Sequence, residues 1–256
     1  MTEQFYRDLA ALSHAAVACA EPATTDLTAW IMAQLQPQRG ESILNIGSRN
    51  SRLALALARN VGASGYVLAV DRSYRVLNVL SQQSQEQGLE QRIRFLYLNL
   101  NDLDGHLRAD DFDRALSNGA LTQSKQPQVV LHAISQALRP GGVFFFYGPS
   151  HKDLAELRTF ASRNAQEIPS QGEKALLFME RIGLPYAREI FTQVEILKFE
   201  SGICLDSPEA LLACWRESAF YEEEREDDFH LAARHYFQSH VVFEATRCLV
   251  GIRARK

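Results

Sequence analysis

The 256-residue chain is short of the features that assign a protein at a glance. Its four cysteines, Cys19, Cys204, Cys214 and Cys248, form no Cys-x-x-Cys pair and no Cys/His cluster with zinc-ligand spacing. No metal site is therefore expected, and the thiols read as reduced and mostly buried. There is no excess of positive charge: 27 Lys and Arg stand against 31 Asp and Glu, a net charge of -4. That balance carries no footprint for nucleic acid, so no nucleic-acid partner is expected. No uninterrupted apolar run is long enough to span a bilayer. The start, Met1 to Asp8, lacks a basic segment followed by an apolar core, so it does not read as a secretory signal. A cytoplasmic protein with no membrane partner is the expectation. Internal repeats and low-complexity linkers are absent as well.

What is present is alternation. Short apolar runs occur at Ser42–Ile46, Tyr66–Val70, Ile93–Leu98, Arg114–Leu116 and Val143–Tyr147. The first two and the last are continuously hydrophobic, as strands buried on both faces of a parallel sheet must be. Helical stretches separate them at Ser51–Asn60, Ser73–Gln87 and Gln128–Leu138. This order predicts an α/β, doubly wound sheet. Before it, Ala10–Ala20 and Thr25–Leu35 read as helices, with Thr24 or Thr25 as a possible N-cap of the second. After it, helices are expected over Lys152–Ala165, Glu173–Arg181, Ser207–Ser218 and Phe229–Gln238. Strands are expected at Gln193–Phe199 and Phe243–Ile252. The expected organisation is one domain over residues 1–256. A helical cap occupies 1–40, a nucleotide-binding core 41–147, and ligand-side helices with the closing strands 148–256.

The chemistry concentrates where the first strand ends. Asn45-Ile46-Gly47-Ser48-Arg49-Asn50-Ser51 is a tight turn between a buried strand and a helix, the place where such sheets bind nucleotides. Glycine there lets a ligand approach the backbone. Twenty-four positions after Gly47, Asp71 closes the second strand, and a carboxylate at that point can accept hydrogen bonds from both hydroxyls of a ribose.

Five segments together resemble the class I S-adenosylmethionine-dependent methyltransferases: Ile43–Ser51, Val67–Asp71, Ile93–Leu100, Phe112–Leu116 and the turn Leu138-Arg139-Pro140-Gly141-Gly142. The resemblance implies a Rossmann-like, seven-stranded, mostly parallel sheet with an N-terminal helical cap and a helical insertion before the last strand. It implies S-adenosyl-L-methionine as cofactor and methyl transfer to a small-molecule substrate. The cofactor positions it carries over are Asn45, Gly47, Ser48, Arg49, Asp71, Arg72, Asn99, Leu100 and Ser117. The chain departs from the family pattern at four of its positions. Asn45 stands for the first acid, Arg49 and Ser51 for two glycines, and Asn99 for the acid that usually accepts from the adenine amino group. Asn99 can still accept through its carbonyl oxygen.

Methyl transfer from a sulfonium is an in-line displacement, and a general base is needed only where the acceptor carries a proton of high pKa. His151, directly after the fifth strand, and His14, on the N-terminal cap with Tyr6, are the candidates. His132, His230, His235 and His240 read as structural. The run Glu222–Asp228 reads as the solvated start of a helix. Trp30 and Trp215 read as core or lid-packing residues, and Trp215 with Phe220 and Tyr221 could wall an apolar acceptor pocket. Two competing readings stand beside the enzyme. One is a catalytically inactive methyltransferase-fold binding or interaction protein, suggested by the four departures. The other is a nicotinamide-dependent oxidoreductase. The second lacks a complete Gly-x-Gly-x-x-Gly and a Tyr-x-x-x-Lys pair.

Overall fold

A computed structural model describes residues 26–48, 51–162 and 170–256. The expected helix Ala10–Ala20, the candidate caps Thr24 and Thr25, and Tyr6, His14 and Arg49 lie outside the described residues.

The described chain begins with α1 (Leu27–Leu35). Asp26 caps it, its carboxylate accepting the Thr28 N–H at 2.8 Å. The elements β1 (Ser42–Ile46), α2 (Ser51–Val61), β2 (Tyr66–Asp71), α3 (Tyr74–Glu86), β3 (Ile93–Tyr97), β4 (Phe112–Asn118), α4 (Pro127–Ala137) and β5 (Leu138–Pro149) then alternate as the apolar runs predict. After them come α5 (Ala155–Ser162), α6 (Ser170–Phe178), a π-turn at Met179–Gly183 and α7 (Leu184–Ile190). β6 (Gln193–Leu205), α8 (Pro208–Arg216), α9 (Glu226–Tyr236) and β7 (Phe243–Arg255) complete the chain.

The seven strands form one sheet in the order β3-β2-β1-β4-β5-β7-β6. β1 lies parallel between β2 and β4, with Ile43 level with Val67 and Arg114. All five of its residues are buried, which is why Ser42–Ile46 shows no polar-apolar alternation. β3 is the edge strand, and only Ile93 of its five residues is buried. Gly142 and Lys256 meet at the start of β5 (Lys256 N–H to Gly142 carbonyl, 3.0 Å), while Ser150 N–H reaches the Cys248 carbonyl beyond its end. β7 therefore runs antiparallel to β5 and makes the sheet mixed. The seven-stranded α/β fold expected from the sequence is the one observed.

Among the described residues the chain packs into two compact units. The first comprises residues 26–148, 178–198 and 250–256. Its core is aliphatic with a seam of phenylalanines: Leu44, Ile46, Val70, Ala115 and Ile252 belong to one buried cluster with Phe144, which stacks on Phe146 at 4.8 Å. Trp30 meets Phe145 and Tyr147 edge-on, at 5.3 and 6.1 Å. Gly251 makes room for it, because a Cβ there would come within 2.7 Å of the Trp30 ring. The second unit comprises residues 149–177 and 199–249. Its core is aromatic: the fully buried Trp215 stacks on Phe229 at 4.1 Å, and Phe160 packs edge-on against Phe229, Tyr236 and Phe243.

Several boundaries differ from the sequence reading. The helix expected to stop at Arg181 continues through the π-turn into α7. Gly183 and Pro185 look like breakers in sequence. Gly183 is packed so closely on Phe146 that a Cβ would lie 3.1 Å from its ring. Pro185 falls in the first turn of α7, where a missing N–H is harmless. The helix expected from Lys152 starts at Ala155. Residues 150–154 instead form a turn whose Asp153 carboxylate accepts the Cys248 N–H at 2.8 Å and pairs with Arg247 at 3.2 Å. Burial pushes the Asp153 carboxyl above its ordinary value, against the pull of Arg247.

Candidate cofactor site

The carboxyl ends of β1, β2 and β4 meet in the first unit. Gly47 follows β1 in the left-handed region, at φ +82°, and its N–H donates to the Val70 carbonyl at 2.9 Å. A Cβ on Gly47 would lie 3.0 Å from the Ala120 Cβ and 3.2 Å from the Asn118 carbonyl. Glycine is thus required twice, by the backbone angle and by the close approach of the segment after β4.

One carboxylate organises the turn. Asp71 Oδ2 accepts the Ser48 N–H at 2.9 Å, and Oδ1 accepts the Ser73 N–H at 2.8 Å. Asp71 is only 8% exposed, so these bonds are made away from bulk water. They tie the turn after β1 to the turn after β2. Each oxygen keeps a second acceptor direction for a ligand hydroxyl. Ser73 also caps α3 by accepting the Val76 N–H at 3.4 Å. It was not singled out in sequence; the signal was a serine two places after the acid and immediately before a helix.

Two buried polar atoms at these strand ends have no hydrogen-bond partner among the described residues. They are Asn45 Oδ1 and Ser117 Oγ, both on side chains that are 1% exposed. Asn45 is turned toward the loop, its Nδ2 donating to Ser48 Oγ at 3.3 Å. Leaving a buried polar group unmade costs about 1–3 kcal/mol, which a bound polar ligand would recover. An amide carbonyl can accept from an ammonium, and a hydroxyl can donate or accept. The donor set therefore fits the polar methionine and ribose parts of S-adenosylmethionine.

The other expected positions are less tightly joined. Asn99 is exposed, and its Oδ1 accepts both the N–H and the Nδ2 of Asn101 at 3.0 Å, capping the short turn Leu100–Asp102. Asn101 in turn accepts from Ser124 Oγ at 2.9 Å and the Lys125 N–H at 3.0 Å. Leu100 packs half-buried against the first unit's core, and Arg72 is exposed. The structure thus joins Asn45, Gly47, Ser48 and Asp71 through direct contacts, with Ser117 in register beside Ile46 on the neighbouring strand. His151 belongs to the second unit and is exposed, its carbonyl accepting from Arg158 at 3.0 Å.

Other sequence expectations fall away from this site. Trp215 is fully buried in an aromatic core, so it does not face an open acceptor pocket. Glu226, read as part of a solvated run, pairs with Arg216, whose Nε donates to it at 2.9 Å, and accepts the Tyr221 hydroxyl at 2.6 Å. The folding of α8 against α9 brings these partners together. Cys204, Cys214 and Cys248 are half-buried and form no disulfide among the described residues, and burial pushes the Cys214 thiol up to about 11. Among the described residues no three His, Cys, Asp or Glu side chains are placed to hold a metal ion. No helix there is long and apolar enough to cross a membrane.

Comparison with known proteins gives the family and agrees with the fold. Residues 37–223, most of the chain, match the family model described as a methyltransferase domain, and the chain belongs to that family. A 2-phytyl-1,4-naphtoquinone methyltransferase of Nostoc punctiforme is 30% identical over 118 residues, which is 45% of this chain and 50% of that protein. An arsenite methyltransferase of Aquipseudomonas alcaligenes is 33% identical over 112 residues, 42% of this chain and 32% of that one. The matches thus span half the length of these curated relatives or less. A candidate methyltransferase from Bacillus halodurans superposes with a TM-score of 0.62 at 15% identity, over 90% of this chain and 98% of that one, a likeness of fold.

Proposed function

We propose that this chain is an S-adenosylmethionine-dependent methyltransferase that transfers a methyl group to a small organic acceptor. The observation that carries the reading is the Asp71 clip. In a methyltransferase-family domain, a buried carboxylate holds the glycine turn against the second strand, beside two buried polar atoms without partners among the described residues. In this reading Asp71 accepts from the ribose hydroxyls, Asn45 Oδ1 from the methionine ammonium, and Ser117 bounds the methionine side. Asn99 and Leu100 border the adenine, and Ser48, Arg49 and Arg72 the rest of the cofactor. Bound there, the cofactor supplies an electrophilic methyl, so the protein has mainly to align the acceptor and exclude water. His151 and His14 remain the residues to test as bases for a protic acceptor.

The acceptor we favour is a reduced quinone rather than arsenite. The Nostoc relative is named for a naphthoquinone. Arsenic(III) is a soft centre that seeks thiolates, whereas burial raises the Cys214 and Cys248 thiols and keeps them protonated. The test is calorimetric titration with S-adenosylmethionine, followed by transfer of labelled methyl to a reduced naphthoquinone and to arsenite. Binding by the wild type and its loss in Asp71→Ala support the cofactor site. Label on arsenite alone would overturn the acceptor assignment.

A second reading, a non-catalytic binding protein of the same fold, rests on two observations. Both Asp71 oxygens already hold backbone N–H groups, and the Asn99 carbonyl is taken by Asn101. It predicts no heat and no thermal shift with S-adenosylmethionine at millimolar concentration.

A further inference from the structure

The first unit carries a cavity of about 370 Å³ at the opposite ends of the same strands. Its lining includes Glu41, just before β1, Asp113 and Arg114 at the start of β4, and Arg139 at the start of β5. Arg253 and Arg255, at the end of β7, complete its charged groups. β1 alone separates it from Gly47. Five residues at about 3.3 Å each make that roughly 16 Å, so it is not part of the cofactor site.

Its charged groups are mostly arginine, three of them paired with carboxylates. Four guanidiniums face two carboxylates, and both carboxylates are already committed. Asp113 accepts the Ser42 N–H at 2.8 Å and pairs with Arg139 at 2.5 Å. Glu41 accepts the Gln38 N–H at 2.7 Å and pairs with Arg114 at 2.6 Å, which also donates to the Leu35 carbonyl. Arg253 reaches Glu195 at 2.6 Å, and Arg255 the Gly141 carbonyl at 3.3 Å. A guanidinium has five N–H groups in a fixed fork, so Arg139 and Arg255 keep donors beyond these bonds. The Pro140-Gly141-Gly142 turn forms the wall between them and cannot take a bulkier residue at 142, where a Cβ would lie 2.8 Å from the Arg139 carbonyl. The volume suits a small molecule, and the lining, in which Pro140 and Val143 are the apolar residues, suits a charged one.

We infer that this cavity is a second binding site, distinct from the cofactor site, for a small phosphorylated anion held by Arg139 and Arg255. Bidentate guanidinium forks match phosphate oxygens. The site takes a diphosphate-sized group. An occupant would touch Asp113 and Arg114 on β4, the strand that carries Ser117 near its other end, and Glu41, the residue before β1.

The experiment is calorimetric titration of the full chain with pyrophosphate, with tricarballylate and potassium chloride at matched ionic strength as comparisons. Saturable one-to-one binding of pyrophosphate is expected, and the Arg139→Gln/Arg255→Gln double variant should weaken it by about tenfold or more. Arg139→Lys, which keeps the charge and loses the fork, should fall between. No saturable heat at about 10 mM pyrophosphate, or unchanged binding by the double variant, would overturn the site. Tighter binding of tricarballylate would overturn the phosphate class. Hydrogen exchange on the wild type needs no variant: pyrophosphate should slow exchange around residues 139–143 and 253–256, and slowing confined to other residues would also overturn it.

Discussion

The two units are held together by different chemistry. The first buries short parallel strands among aliphatic side chains and a phenylalanine seam, and its polar groups gather at the strand ends. The second buries a cluster of rings around Trp215 and closes it with charged pairs such as Asp153–Arg247 and Glu226–Arg216. The difference teaches where recognisable pattern comes from. A parallel sheet needs continuous apolar runs and tight turns at set places, so it leaves motifs. An aromatic cluster needs only large rings that meet, and many sequences satisfy that.

The largest expected effect lies in the aromatic unit. Trp215→Ala removes a fully buried ring stacked on Phe229 and should cost about 3–5 kcal/mol in urea unfolding. A cost near zero would show that the ring cluster is not what holds this unit. In the strand-based unit the comparison is sharpened by two glycines. Gly47→Ala should cost about 1–2 kcal/mol for its left-handed backbone, and more for the contacts a Cβ would make with Ala120 and Asn118. Gly88→Ala has a similar positive φ and nothing within 4 Å, so it should lose only the backbone part. Equal losses at the two positions would mean that the close approach after β4 does not constrain the glycine turn.

The smallest effect is a pH dependence. The hydrogen bond from Arg216 holds the Glu226 carboxyl below its ordinary value. A depressed folded value means that the stabilisation is present above the unfolded value of about 4.5 and is lost as pH falls through the folded one. Glu226→Gln should therefore flatten the stability profile on the acid side, by about 1 kcal/mol or less at neutral pH. An unchanged acid limb would remove this pair from the account of the second unit.

Much of the candidate site was legible. Gly47 and Asp71 stand out because a tight turn and a strand-end acid 24 residues apart are spaced by the length of a βαβ unit. What could not be read was what each group touches. That Asp71 spends both oxygens on the N–H groups of Ser48 and Ser73 depends on how closely two turns approach. That Asn99 closes on Asn101 is a local choice among several an asparagine can make. Ala120 behind Gly47 is invisible in a linear reading, because 73 residues separate positions that only the β1–β4 pairing brings together.

By itself, then, the sequence determined the alternation of strands and helices, the parallel core and the position of the glycine turn. These follow from periodicity and local backbone preference, which neighbouring residues decide. The tertiary structure decided the rest. It extended the helix past Gly183 and Pro185, buried Trp215 in an aromatic core, and stranded Asn45 Oδ1 and Ser117 Oγ at the strand ends. It also drew arginines from β4, β5 and β7 around one cavity. Each of these depends on contacts between residues far apart in the chain, whose distances are set only when the sheet is assembled.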